Sequence, residues 1–149
     1  MEDKKFFPLF INLKGKKVLI VGAGKIAFRK AETLLEQGAS IKVVTLAITE
    51  EKFHHLKGID ISLEPFSEDM LEDKFLVVAA TDNSEFNKRI ADLCEIKNIL
   101  VNNITSKVDM NCRFASTFEN DEYQIGISAK GNPKKSKALK EKLEKILNE

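Results

Sequence analysis

The sequence predicts an α/β fold, a doubly wound parallel sheet, on three observations. Apolar runs of strand length alternate with longer amphipathic stretches along most of the chain. The first run ends in a glycine turn that opens a helix-like segment, and a second run closes this unit within the 27 residues VLIVGAGKIAFRKAETLLEQGASIKVV (18–44). Several runs are apolar at consecutive rather than alternate positions, as strands covered on both faces by helices require.

Each element follows from its own pattern. Residues 18–21 form the first strand. Residues 26–37 form a helix whose stripe is Ile26, Ala27, Ala31, Leu34 and Leu35, with Arg29, Lys30, Glu32 and Glu36 largely opposite and Gly38 ending it. Residues 41–44 are the next strand, and a short helix over 48–56 is expected, capped by Thr49 with Glu50 and Glu51 in its first turn. Residues 59–63 alternate in period two, which suits a strand nearer the sheet edge. Residues 75–80 are a second buried strand, running into the polar cluster Thr81-Asp82-Asn83. Helical spacing resumes over 83–95 through Phe86, Ile90, Leu93 and Cys94, and a strand at 99–101 leads into Asn102-Asn103-Ile104-Thr105. A late strand at 123–128 and a lysine-rich helix at 133–147 complete the reading, with no internal repeat and no low-complexity linker.

Composition narrows the class. The chain has 149 residues, 43% hydrophobic and 32% charged, which suits one globular domain without disulfides or a structural metal. No apolar run reaches the ~20 residues that span a bilayer, and the opening MEDKKFFP lacks the apolar core of a signal peptide. Cys94 and Cys112 form no CxxC or framework spacing, so the expected compartment is the reducing cytoplasm. Residues 130–149 hold seven lysines against three glutamates, a local surplus of +4, so the rest of the chain carries −3 of the net +1. Such a tail suits an anionic small molecule, a solvated helix face or nucleic acid. The last is the weakest reading, because Tyr123 is its single aromatic neighbour and no recognition motif accompanies it. No metal is expected: His54 and His55 are adjacent and diverge on a helix, and no Cys/His cluster has zinc spacing.

Gly22-x-Gly24-x-x-Ala27 matches the dinucleotide fingerprint of a Rossmann domain. The first glycine makes the tight turn, the second admits a pyrophosphate to the backbone, and a small third residue lets helix pack on strand. The strand–turn–helix–strand context is the one this motif requires. The other reading is a glycine-tightened turn that binds nothing. At the end of the second strand stands Thr45-Leu46-Ala47, where an acid usually takes the ribose hydroxyls. Thr45 can hydrogen-bond the ribose and no arginine follows to favour a 2′-phosphate, so NAD is the expected cofactor.

The segments FFPLFINLKGKKVLIVGAGKIAFRKAETLLEQGASIKVVT, VVAATDNSEFNKRIAD, ILVNN and IGISAKGNP together resemble the siroheme synthase amino-terminal family, the precorrin-2 dehydrogenases, some of which are also sirohydrochlorin ferrochelatases. The resemblance covers nearly the whole chain. It implies NAD-dependent oxidation of precorrin-2, an anionic tetrapyrrole, to sirohydrochlorin in siroheme or cobalamin synthesis, by a cytoplasmic homodimer. It implies cofactor contacts at Gly22, Gly24, Lys25 and Ile26, then at Leu46 and Ala47, then at Thr81 and Asp82. It divides the chain into an NAD-binding Rossmann domain (1–112) and a short substrate-side and dimerisation extension of strand and helix (113–149), where relatives continue as a helical domain. Asn102, Arg113, Ser128 and Lys130 become candidates to bind the substrate, Arg113 and Lys130 through its carboxylates, with ordinary surface readings for Ser128 and the lysines beside that one.

The sequence departs from the family at one chemical position. Where the family carries an aspartate, the candidate general base and chelatase residue, this chain has Thr105, which cannot act as a base near neutral pH. Asp109 follows four residues later, as a replacement base or as a solvated loop residue. The change argues against ferrochelatase activity. It also leaves open a non-catalytic NAD- or tetrapyrrole-binding module, a chelatase that uses Asp109, or a half-enzyme completed by a partner.

Overall fold

The computed structural model describes residues 4–148. Strands β1 (Lys17–Val21), β2 (Ser40–Thr45), β3 (Ile59–Leu63), β4 (Leu76–Ala79) and β5 (Leu100–Asn103) lie parallel in the order β3-β2-β1-β4-β5. The order reverses between β1 and β4, which makes that junction the switch point where ligands of open α/β sheets sit. Helices α1 (Lys25–Glu36) and α2 (Ser84–Ile96) make the crossovers from β1 to β2 and from β4 to β5.

The side-chain period of a strand explains how the core divides. Leu19 and Val21 of β1 join Val44, Val77, Ala79 and Val101 in one buried cluster with Ile90, Ala91 and Cys94 of α2. The alternate residues Val18, Ile20, Ile41 and Val43 are also buried, as are Ala27, Ala31 and Leu34 along α1. A sheet buried on both faces is what the continuous apolar runs demanded. Lys30, assigned to the polar side of α1, is in fact half-buried, and desolvation holds its ammonium below the usual lysine range while nearby Cys112 acts the other way.

Several boundaries differ from expectation for identifiable reasons. The helix expected over 48–56 is only a 3-10 turn, Glu51–His55, capped by Glu50, whose carboxylate accepts from the Lys52 N–H at 3.3 Å. Thr49 does not cap it. The N–H groups of Thr49 and Glu50 both reach back 3.1 Å to the Ala23 carbonyl, so these residues are drawn out of helical geometry. A second 3-10 turn, Glu68–Leu71, buries Leu71 in the core. Strand β5 runs on through Asn102 and Asn103, whose polar side chains disguised its end. Its outer edge is covered by the chain folding back. Asn111 Oδ1 accepts from the Val101 N–H at 2.7 Å, Asn111 Nδ2 donates to the Ile99 carbonyl at 3.0 Å, and the N–H groups of Asn111 and Cys112 donate to the Val101 carbonyl at 3.1 Å.

The chain divides into two compact units, one ending at Cys112 and one starting at Arg113. The second contains an antiparallel hairpin where one strand was expected: β6 (Ser116–Glu119) pairs with β7 (Gln124–Ile127). Asn120 makes the turn, its Oδ1 accepting from the N–H groups of Glu122 and Tyr123 at 2.9 and 2.7 Å. β6 was missed because two of its four residues are small hydroxyl side chains and only Phe118 is buried. Helix α3 (Pro133–Leu147) has Asn132 as cap and proline in its first turn, and Ser136 donates to the Pro133 carbonyl at 3.1 Å beneath Ser116 Oγ at 3.2 Å. Among the described residues no helix is long and apolar enough to cross a membrane.

Burial pushes the Cys94 thiol from its ordinary 9.0 up to about 12. A raised native value means that the stability this thiol contributes is complete below pH 9 and declines as pH climbs toward 12. Urea denaturation between pH 8 and pH 11 should show a falling midpoint. In the Cys94→Ala protein the midpoint starts lower, because a buried group is removed, and falls less steeply.

Candidate functional site

The carboxyl ends of β1, β2, β4 and β5 gather the polar loops. Gly22 follows β1 with φ of +114°, a conformation that side chains rarely adopt, and a Cβ there would lie 2.3 Å from the Ala80 carbonyl oxygen. Only glycine lets β1 leave the sheet between β2 and β4, where the Gly22 N–H donates to the Val44 carbonyl at 2.9 Å and the Ala80 N–H to the Val21 carbonyl at 2.8 Å. Gly24 is the N-cap of α1. Its φ of −91° is ordinary, and a Cβ on it would meet only Thr49 Oγ1, at 3.5 Å. No side chain caps α1 and no acid stands in its first turn, so the leading N–H groups and the positive end of the helix dipole are presented to an anion. Lys25 and Ile26 at this end are exposed, while Ala27 is fully buried where helix meets strand.

After β2, the chain is tied to the glycine turn through Ala23, whose carbonyl also receives the Thr49 hydroxyl at 3.4 Å. The Thr45 hydroxyl donates to the Ala47 carbonyl at 2.7 Å and accepts from the Ala47 N–H at 3.3 Å, so its proton is already committed within its own turn. Leu46 projects outward, 77% exposed.

After β4, Thr81 is held by a side chain that the sequence reading did not single out. Asn87, on α2 and fully buried, accepts from the Thr81 N–H at 3.2 Å and from the Thr81 hydroxyl at 2.6 Å, and returns a bond from Nδ2 to the Thr81 carbonyl at 3.0 Å. The same Nδ2 donates to Thr105 Oγ1 at 3.0 Å. The Thr105 hydroxyl and N–H both donate to Asn103 Oδ1 at 3.0 Å, and Asn103 Nδ2 donates to the Asp109 carbonyl at 3.2 Å. A signal for Asn87 was present: it falls in register with Ile90, Ala91 and Cys94, so an amide occupied a core position of an amphipathic helix.

The site residues expected in the first unit therefore share one end of the sheet: Gly22, Gly24, Lys25, Ile26, Thr45, Leu46, Ala47, Thr81, Asp82, Asn102, Thr105 and Asp109 all lie at or beyond a strand's carboxyl end. The Asp109 carboxylate is half-buried and accepts from Ser106 Oγ at 3.3 Å. Asn102 donates from Nδ2 to the Cys112 carbonyl at 3.0 Å, and its buried Oδ1 has no hydrogen-bond partner among the described residues. Arg113, Ser128 and Lys130 belong to the second unit, where Ser128 follows β7 and is exposed, and Lys130 is exposed with φ of +54°.

A model of the NAD(P)-binding family matches residues 9–116, from ahead of the glycine turn to the start of β6. The chain belongs to that family. Within this NAD(P)-binding family its likeness is to siroheme synthases: 34% identity to that of Sodalis glossinidius, over 96% of this chain and 31% of the relative, and 36% to that of Blochmanniella floridana, over 96% and 32%. The chain thus spans about a third of the length of these relatives. A solved structure titled SirC, precorrin-2 dehydrogenase, aligns with a TM-score of 0.72 at 26% identity, over 95% of this chain and 71% of that one. The family kinship and Rossmann-type fold expected from the sequence are both found.

The two glycines separate fold from cofactor. Gly22→Ala should destabilise the protein by about 1–3 kcal/mol or more through backbone strain and collision with Ala80, read by urea denaturation. Gly24→Ala should cost less than about 1 kcal/mol, as the substitution is made at a helix cap with room for a methyl. It should nonetheless weaken NAD binding in calorimetric titration, since the fingerprint reading brings the pyrophosphate to the backbone at this position.

Proposed function

We propose that this chain is an NAD-dependent precorrin-2 dehydrogenase, producing sirohydrochlorin. The observation that carries the reading is the likeness to the precorrin-2 dehydrogenase structure over 95% of this chain, well beyond the glycine motif shared by many nucleotide-binding domains.

The residues present fit a dinucleotide. A bare glycine, an uncapped helix amino end and a first turn without acids suit a pyrophosphate, and NAD, when bound, supplies the hydride acceptor. Gly22, Gly24, Lys25 and Ile26 hold the phosphates, residues 45–47 flank the adenosine ribose, and Thr81 and Asp82 orient the nicotinamide end. With the Thr45 proton committed to Ala47, this hydroxyl meets the ribose as an acceptor.

Oxidation of precorrin-2 removes a hydride and a proton, and the proton needs a base. Thr105 is unsuited chemically, and its hydroxyl is engaged between Asn87 and Asn103. We assign the proton to the Asp109 carboxylate, which Ser106 holds in a half-buried loop at the carboxyl end of β5. Asn102 is assigned to the substrate on its place near the carboxyl end of β5. Arg113, Ser128 and Lys130 are assigned to the substrate's carboxylates, supported by the exposure of Ser128 and Lys130. Exposed Leu139 and Ile146 on α3 support a homodimer, and two free thiols support a cytoplasmic setting.

Anaerobic incubation with precorrin-2 and NAD should yield reduced nicotinamide and sirohydrochlorin in equal amounts. Asp109→Asn should lower kcat by about a hundredfold or more with the thermal midpoint unchanged, the usual worth of a general base. A silent Asp109→Asn would return that residue to the role of a loop carboxylate. NAD binding without turnover in the wild type would favour a cofactor- or tetrapyrrole-binding module.

A further inference from the structure

Of the four buried residues of α2, Asn87 alone carries an amide, and it spends that amide entirely on two loops. A carboxamide offers two donors and an acceptor oxygen with two lone pairs. Here all are used: Oδ1 receives the N–H and hydroxyl of Thr81, and Nδ2 donates to the Thr81 carbonyl and to Thr105 Oγ1. From Thr105 the chain of bonds continues through Asn103 to the backbone of Asp109. One side chain, anchored on a packed helix, thereby joins the loop after β4 to the loop after β5.

We propose that Asn87 is the positioning residue of this site, setting the turn at Thr81 and Asp82 against the turn that carries Thr105 and Asp109. The proposal rests on the reading above, in which the first turn serves the nicotinamide and the second the substrate. The two loops leave different strands, and in the network just described their registration is set by one buried side chain of α2. Hydride transfer needs donor and acceptor within a narrow distance, so a shift of the order of 1 Å between the turns costs about a hundredfold in rate. Asn87 and Asn103, the two amides of the network, are buried, and deleting the Asn87 amide strands the groups it serves.

Two variants cut the network at different places. Thr105→Val keeps all three bonds between Asn87 and Thr81 and severs the link to the second loop. It should leave the NAD Kd, measured by calorimetry, within about twofold while kcat falls about tenfold or more. Asn87→Ala releases both loops. Its NAD Kd should rise about tenfold, as the loss of buried hydrogen bonds predicts, and kcat should fall further than in Thr105→Val, at a temperature where circular dichroism shows the fold intact. If Asn87→Ala does not fold, Asn87→Ser removes both carboxamide donations without burying a charge. It should lower kcat and raise the NAD Kd in the direction expected of the alanine variant. A lowered thermal midpoint with Kd and kcat retained would overturn the proposal, as would equal changes of Kd in the alanine and valine variants. If wild type binds NAD but does not oxidise precorrin-2, the proposed reaction fails, and the split in Kd between the two variants still decides the positioning role.

Discussion

The close approach of Gly22 to Ala80 is the constraint on which the rest of the first unit depends. β1 must leave the sheet between two neighbours that continue beside it, and the space left by Ala80 admits no side chain. With that turn made, α1 starts at once, its amino end facing the carboxyl ends of the strands. The loop after β2 then closes on the Ala23 carbonyl, and Ala80 fixes where the chain after β4 emerges. Placement of the loops is thus inherited from one crowded backbone contact.

A division of labour follows among the polar residues. The glycine end relies on backbone N–H groups and a helix dipole, which recognise charge without detailed shape. The end near β4 and β5 relies on side-chain amides and hydroxyls in a saturated network, which recognise geometry and tolerate little change. Under the proposed assignment, cofactor binding and chemistry have different sensitivities to substitution within one site.

Most of the fold was readable because its signals are local. Consecutive apolar residues marked β1 and β4, the spacing of Phe86, Ile90, Leu93 and Cys94 marked α2, and Pro133 opened α3 where expected. Apart from β6, whose own pattern is weak, the failures share a cause: contacts from distant residues override local pattern. Thr49 looked like a cap but serves Ala23, 26 residues earlier, and Asn102 and Asn103 looked like loop but pair with β4. Lys30 was placed by its charge on the polar face although the residue is half-buried and its ammonium desolvated. In the site, the glycine turn was legible because its fingerprint has a fixed spacing between strand and helix. Asn87 was not recognised, since its role exists only once Thr81 and Thr105 are brought to the same helix face.

The return of residues 110–112 along β5 has a consequence for how the sheet can associate. Asn111 presents an acceptor to Val101 and a donor to Ile99, the pair of contacts that a neighbouring peptide unit would make. One carboxamide stands in for a sixth strand. The border that a foreign β-segment would use as a template is thereby occupied from within, and intermolecular strand addition, the first step toward fibrous aggregates, is refused on that side. At the opposite border β3 carries charge at Asp60. Lateral growth of the sheet is thus blocked chemically at one margin and discouraged electrostatically at the other.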